Sequence, residues 1–162
     1  MSKGNVLVFY GEGKGKTSSA LGYGIRAASQ GRSVIVIQFM KGKSGDEISF
    51  IRRLEPEIRF FRFEKSSENY EELSEEEKRE ETMNIKNGFN FAKKVLVTGE
   101  CNVLILDEFL GLLDNHVITH DELKAMLEAK TEDTEIVFTG RVLDESLKDY
   151  ADEIYKIWPQ KL

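Results

Sequence analysis

Three glycines, two lysines and a threonine crowd into the stretch GEGKGKTS, Gly11 to Ser18. That composition suits phosphate chemistry. Glycines let the main chain approach phosphate oxygens closely and turn its N–H groups onto an anion, while Lys16 supplies positive charge at the same point. Lys14 is a second cation, and Thr17 carries a hydroxyl of the kind that joins the shell of a Mg²⁺ or Mn²⁺ ion on a polyphosphate. The usual spacing GxxxxGK[ST] requires glycine at position 10, where this chain has Tyr10, so the loop read from Gly11 is one residue short. Glu12 is unexpected here. A carboxylate beside phosphates weakens anion binding unless it turns away or helps a metal.

A phosphate loop needs a partner carboxylate at the end of another buried strand. VLILDE, residues 103–108, provides it: four apolar residues run into Asp107 and Glu108, the arrangement that holds magnesium directly or through water. Other polar residues are weaker candidates for the same end of the molecule. Arg26 lies ten residues after Lys16, Lys41 falls in QFMKG, and Arg141 closes TGR after a strand-like run. Ligands of open α/β sheets bind at the carboxyl ends of strands, so the last two segments should converge on the loop. His116 and His120 have the spacing of metal ligands on a helix, but a helix cap expected at Thr119 falls between them. They read as structural.

These residues need elements to carry them. NVLVFY (5–10), SVIVIQF (33–39), VLILD (103–107) and EIVFTG (135–140) are short apolar runs rich in β-branched residues, the pattern of strands buried on both faces of a parallel sheet. IRFFRF (58–63) and IYKIW (154–158) are weaker strand candidates. Helices are expected over 16–30, roughly 45–54, 74–98, 119–130 and 144–151. Ser74 with Glu77, and Thr119 with Glu122, form capping-box patterns, and Ile85, Phe89, Ala92 and Leu96 make one apolar stripe. Alternating strands and helices imply βαβ units and a three-layer α/β/α sandwich on a mostly parallel sheet.

The 162 residues suffice for one domain spanning 1–162 with its own core. Cys101 is the single cysteine, so there is no disulfide framework and no cysteine-based zinc site. No run approaches the ~18 apolar residues of a membrane span, and the N-terminus lacks a signal-peptide layout; a cytoplasmic protein is expected. The net charge of −6 resides in residues 64–81, which hold nine acidic and three basic residues and read as the solvated start of a helix. The balanced remainder offers no broad nucleic-acid surface.

Assembled, these segments resemble the P-loop ATP:corrinoid adenosyltransferases, which transfer the adenosyl group of ATP to a reduced corrinoid cobalt. The matching stretches are GEGKGKTSSALGYGIRAA (11–28), VIVIQFMKG (34–42), VLILDE (103–108), VFTGR (137–141) and DYADEIYKI (149–157). The shortened loop GxGKGKT is itself characteristic of that family. The resemblance implies a RecA-like P-loop NTPase fold. It implies ATP binding by Gly11, Gly13, Lys14, Gly15, Lys16 and Thr17, with Glu12 and Ser18 in the same loop and Arg26, Lys41 and Arg141 as further polyphosphate or nucleotide contacts. Thr17 with Asp107 or Glu108 would hold the metal, and Lys16, Thr17 and Glu108 would carry catalysis. It further implies release of tripolyphosphate, a reduced corrinoid acceptor, a flavoprotein reductant and a homodimer. Glu12 replaces the family's usual small polar residue. The aromatic stretch that family members place before the long helix is not recognisable in FRFEKSSENYEEL, and the chain stops at WPQKL, short of the usual C-terminal segment. The residues alone leave two alternatives open, a phosphotransferase or NTPase using the same loop and a nucleotide- or corrinoid-binding module without turnover.

Overall fold

The computed structural model describes residues 5–39, 51–63 and 70–161. Six strands form one sheet: β1 (Val6–Tyr10), β2 (Val34–Gln38), β3 (Ile58–Arg62), β4 (Val103–Asp107), β5 (Glu135–Gly140) and β6 (Glu153–Lys156). Their order is β3-β2-β4-β5-β1-β6, and every pairing is parallel. Parallel neighbours need crossovers, and the main ones are helices α1 (Lys16–Ser29), α2 (Glu75–Thr98), the short α3 (Leu110–Asp114) and α4 (His120–Ala129).

The period-2 alternation of the strands sorts the core into two halves. Val6 and Val8 of β1 and Leu104 and Leu106 of β4 face α2, α3 and α4, whereas Leu7, Val103 and Ile105 face α1. Ile85, Phe89, Ala92 and Leu96 of α2 lie in the first half, so the stripe read from the sequence is the buried face of that helix. A sheet covered on both faces is the three-layer α/β fold.

Both capping boxes form. Ser74 and Thr119 each accept from the N–H three residues on, and Glu77 and Glu122 each accept from the cap residue's own N–H. The stretch expected to be helical over 144–151 is a tighter 3₁₀ turn, Glu145–Asp149, begun by the Asp144 carboxylate accepting from Ser146 N at 3.0 Å. α3 is not legible in the sequence, because five residues carry too little periodicity to separate a helix from the strand before it. Most of the helix expected over 45–54 lies outside the described residues; its described end contains a 3₁₀ turn, Arg52–Leu54. Residues 64–69 of the acidic run also lie outside them.

Register decides what meets at the carboxyl end of the sheet. Gln38 stands opposite Asp107, and Tyr10 opposite Gly140. β5 separates β1 from β4, so the loop after β1 faces the end of β4 across the end of β5.

Candidate functional site

The loop after β1 is shaped by glycines in backbone conformations that other residues rarely adopt. Gly11 has φ 141° and Gly15, the residue before α1, has φ 113°. No side chain caps α1, and no acidic residue occupies its first turn, in contrast to the capping boxes on α2 and α4. The start of α1 therefore lacks the side-chain cap that α2 and α4 carry, and helix N-termini of this kind are suited to an anion. Lys16 is buried, and its ammonium arches back over the loop to donate to the carbonyls of Gly11 at 2.9 Å and Gly13 at 3.3 Å.

The loop rests on the segment that follows β6. Ile157 N donates to Tyr10 O at 2.7 Å, and Gly11 N donates to Gly140 O at 3.1 Å. A Cβ on Gly11 would stand 2.0 Å from Ile157 O, while Gly13 faces the Pro159 ring and Gly15 faces the Ile157 side chain. Gly11→Ala is expected to cost about 2–3 kcal/mol of stability, from backbone strain and overpacking together. Gly31→Ala, at φ 81° with nothing nearby, supplies the control with strain alone. Urea unfolding of both variants checks this; equal losses would remove the contact with Ile157 as a cause.

The second half of the site is a buried carboxylate. Asp107, 1% exposed, accepts from Thr17 Oγ1 at 2.9 Å and Thr139 Oγ1 at 2.7 Å on one oxygen, and from Gln38 Nε2 at 2.8 Å on the other. Three different elements thus fix one carboxylate beside the threonine of the loop. Glu108 follows at φ 60°, an uncommon left-handed conformation, and its N–H donates to Thr139 Oγ1 at 2.8 Å. Hard oxygen donors from Thr17 and Asp107 at hydrogen-bond distance suit a magnesium ion that takes its remaining ligands from water and phosphate. Among the described residues no group of three or more His, Cys, Asp or Glu side chains gathers into a metal cage of its own.

The structure brings Gly11, Glu12, Gly13, Lys14, Gly15, Lys16, Thr17, Asp107 and Arg141 to one end of the sheet, with Ser18 exposed on the first turn of α1. Arg141 donates to Glu12 at 3.3 Å. Arg26 is not brought there: it sits in the last turn of α1, roughly 15 Å along the helix from Lys16 at 1.5 Å per residue. Lys41 lies outside the described residues. Gln38 and Thr139 were legible only as strand ends; their signal is a polar residue closing an apolar strand, as Asp107 does. His116 occupies a turn at φ 57°, and His120 pairs with Asp144 at 3.0 Å.

Strongly shifted protons lie at the other end of the sheet. Burial and a hydrogen bond to Glu135 push Tyr23 up to about 12, and burial pushes the Cys101 thiol to about 12. No described cysteine supplies a reactive thiolate. Towards the carboxyl ends of β2 and β3 lies an aromatic cluster: Phe61 and Phe63 of or after β3 meet Phe91 of α2 at centroid distances of 4.8 and 5.8 Å, and Phe39 meets Phe109 at 5.9 Å. Gly88 makes room for it, since a Cβ there would stand 2.7 Å from Phe63.

The sequence model of the ATP:corrinoid adenosyltransferase BtuR/CobO/CobP family matches residues 2–161. The chain belongs to this family of ATP:corrinoid adenosyltransferases. The corrinoid adenosyltransferase of Escherichia coli K12 is 26% identical over 98% of this chain and 79% of its own length. Corrinoid adenosyltransferase CobA of Salmonella typhimurium LT2 is 27% identical over the same shares, and the corrinoid adenosyltransferase of Pseudomonas aeruginosa is 29% identical over 94% of this chain and 73% of its own. As a member of the family, the chain is an enzyme of adenosyl transfer from ATP to a corrinoid. Its fold is that of the P-loop NTPases. Among the described residues, no helix is long and apolar enough to cross a membrane.

Proposed function

We propose that the triphosphate of ATP seats on Gly11–Thr17 and that the 5′-deoxyadenosyl group passes to the cobalt(I) of a reduced corrinoid, with tripolyphosphate leaving whole. The observation that carries this reading is the uncapped start of α1, with Lys16 bent over the loop and Thr17 against Asp107. Cobalt(I) is itself a strong nucleophile, so no serine, histidine or cysteine nucleophile is required. The cobalt electron pair forms the bond to C5′, the C5′–O bond breaks, and its electrons leave on the polyphosphate as cobalt becomes formally cobalt(III).

What remains for the protein is position and charge. The N–H groups of the loop and of the first turn of α1 hold the phosphate oxygens, and Lys16 exchanges its carbonyl partners for the leaving group. Lys14 and Arg141 stand on the rim as further cations. Thr17 and Asp107 would hold magnesium, which adds positive charge against the departing polyphosphate; Glu108 stands beside them. The half-buried Phe61, Phe63 and Phe91 favour a large, partly apolar acceptor on the β2–β3 side of the loop.

Anaerobic incubation with ATP, Mg²⁺ and chemically reduced cobalamin, followed by absorbance, tests the reaction. Formation of a cobalt–carbon bond with tripolyphosphate in the phosphorus NMR spectrum is expected. ADP or AMP in its place would make the chain a phosphotransferase or NTPase. ATP binding without a cobalt–carbon bond from any of several corrinoids would make it a binding module.

A further inference from the structure

Glu12 puts a negative charge inside the loop proposed to bind a polyphosphate, and the structure shows what that charge does. Both of its carboxylate oxygens face Arg141 Nη2, at 3.3 and 3.5 Å. Arg141 directly follows Gly140, whose carbonyl accepts from Gly11 N, and lies two residues after Thr139, which donates to Asp107. The guanidinium is thus anchored at the rim by the backbone of β5 and steered by the loop's own acid.

We propose that Glu12 is a placeholder for phosphate: it holds Arg141 at the rim in the empty loop, yields it to the incoming polyphosphate, and reclaims it as tripolyphosphate leaves. This rests on the reading of the loop as a polyphosphate site. A guanidinium fork donates to carboxylate and phosphate oxygens in the same geometry, so the two anions compete for one donor set. The competition is uneven by design. Glu12 and Arg141 side chains are 53% and 68% exposed, and an ion pair so wet is weak enough for a multiply charged anion to displace. Gly11 and Gly13, both at positive φ, flank Glu12. A product as highly charged as tripolyphosphate would otherwise linger on a site built for triphosphate. An internal carboxylate that retakes the arginine shortens that residence at a small cost in ATP affinity.

The test is a double-mutant cycle on binding of inorganic tripolyphosphate, measured by calorimetry on wild type, Glu12→Gln, Arg141→Ala and the double variant. Glu12→Gln is expected to tighten binding about three- to fivefold, the scale of an exposed ion pair, and Arg141→Ala to weaken it. In the Arg141→Ala background, Glu12→Gln should then change affinity by less than about 1.5-fold. Equal tightening in both backgrounds would make Glu12 a charge acting through space and overturn the exchange, as would no tightening at all. Steady-state inhibition gives an independent readout: tripolyphosphate should inhibit Glu12→Gln at lower concentration than wild type. Lys16→Ala separates this inference from the reading beneath it. If that variant binds tripolyphosphate as wild type does, the loop is not the polyphosphate site, whatever Glu12 shows.

Discussion

Lys16→Ala is expected to abolish ATP-dependent corrinoid adenosylation, with a loss on the order of 10³-fold in kcat/KM. The reason is geometric as well as electrostatic. Lys16 is 7% exposed, and its ammonium occupies the concave side of the loop between the carbonyls of Gly11 and Gly13. Alanine removes the one buried cation of the loop and leaves those two carbonyls to solvent. The sheet does not depend on these bonds, so a stability loss of only about 1 kcal/mol is expected, and circular dichroism should match wild type. Anaerobic turnover with reduced cobalamin is the decisive measurement. Near-wild-type activity would refute the role assigned to Lys16 and move leaving-group stabilisation to Lys14 and Arg141.

Asp107→Asn is expected to lower turnover by about 10²-fold and to flatten the dependence of ATP affinity on Mg²⁺. Asparagine keeps the shape. Its carbonyl oxygen can still accept from Thr17 and Thr139, and its amide can donate to Gln38 once the Gln38 side-chain amide turns its oxygen inward. What disappears is the negative charge beside the Thr17 hydroxyl. Because the hydrogen bonds are replaceable, the variant should fold, and the effect can be read as a metal effect. ATP titrations at several Mg²⁺ concentrations check it. A wild-type magnesium dependence would remove Asp107 from the metal site and leave Glu108 as its acidic residue.

Much of this arrangement was legible in the sequence for definite reasons. β1, β2, β4 and β5 are buried on both faces, so their runs are continuously apolar and stand out from the helices between them. The capping boxes of α2 and α4 are local signals spanning four residues, and both form. The loop was legible because its chemistry is local too. What failed to show was whatever depends on distance along the chain. The partner of Glu12 is 129 residues away, and nothing near Glu12 announces it. Thr139 and Gln38 join Asp107 only because parallel register aligns three strand ends. Arg26 was an attractive cation next to the loop in sequence, but a helix carries its residues away from its own start by a fixed rise per residue. The aromatic cluster was not legible because β3 and α2 contribute to it from separate stretches, and the phenylalanines of IRFFRF do not announce their partner on a distant helix.

The seat of the phosphate loop on Ile157 and Pro159 has a consequence for how the protein is made. The loop proposed to bind phosphate leaves the ribosome well before Ile157, whose main chain backs it. β1 can join β5 earlier, but Gly11 acquires its final neighbour only when β6 docks on the far side of β1. Such a contact, between segments remote in sequence, forms late because the intervening chain must be ordered first. A nascent chain therefore carries the whole GEGKGKTS motif long before it has a finished site, and competence to hold a nucleotide becomes a sign that synthesis has passed the sixth strand.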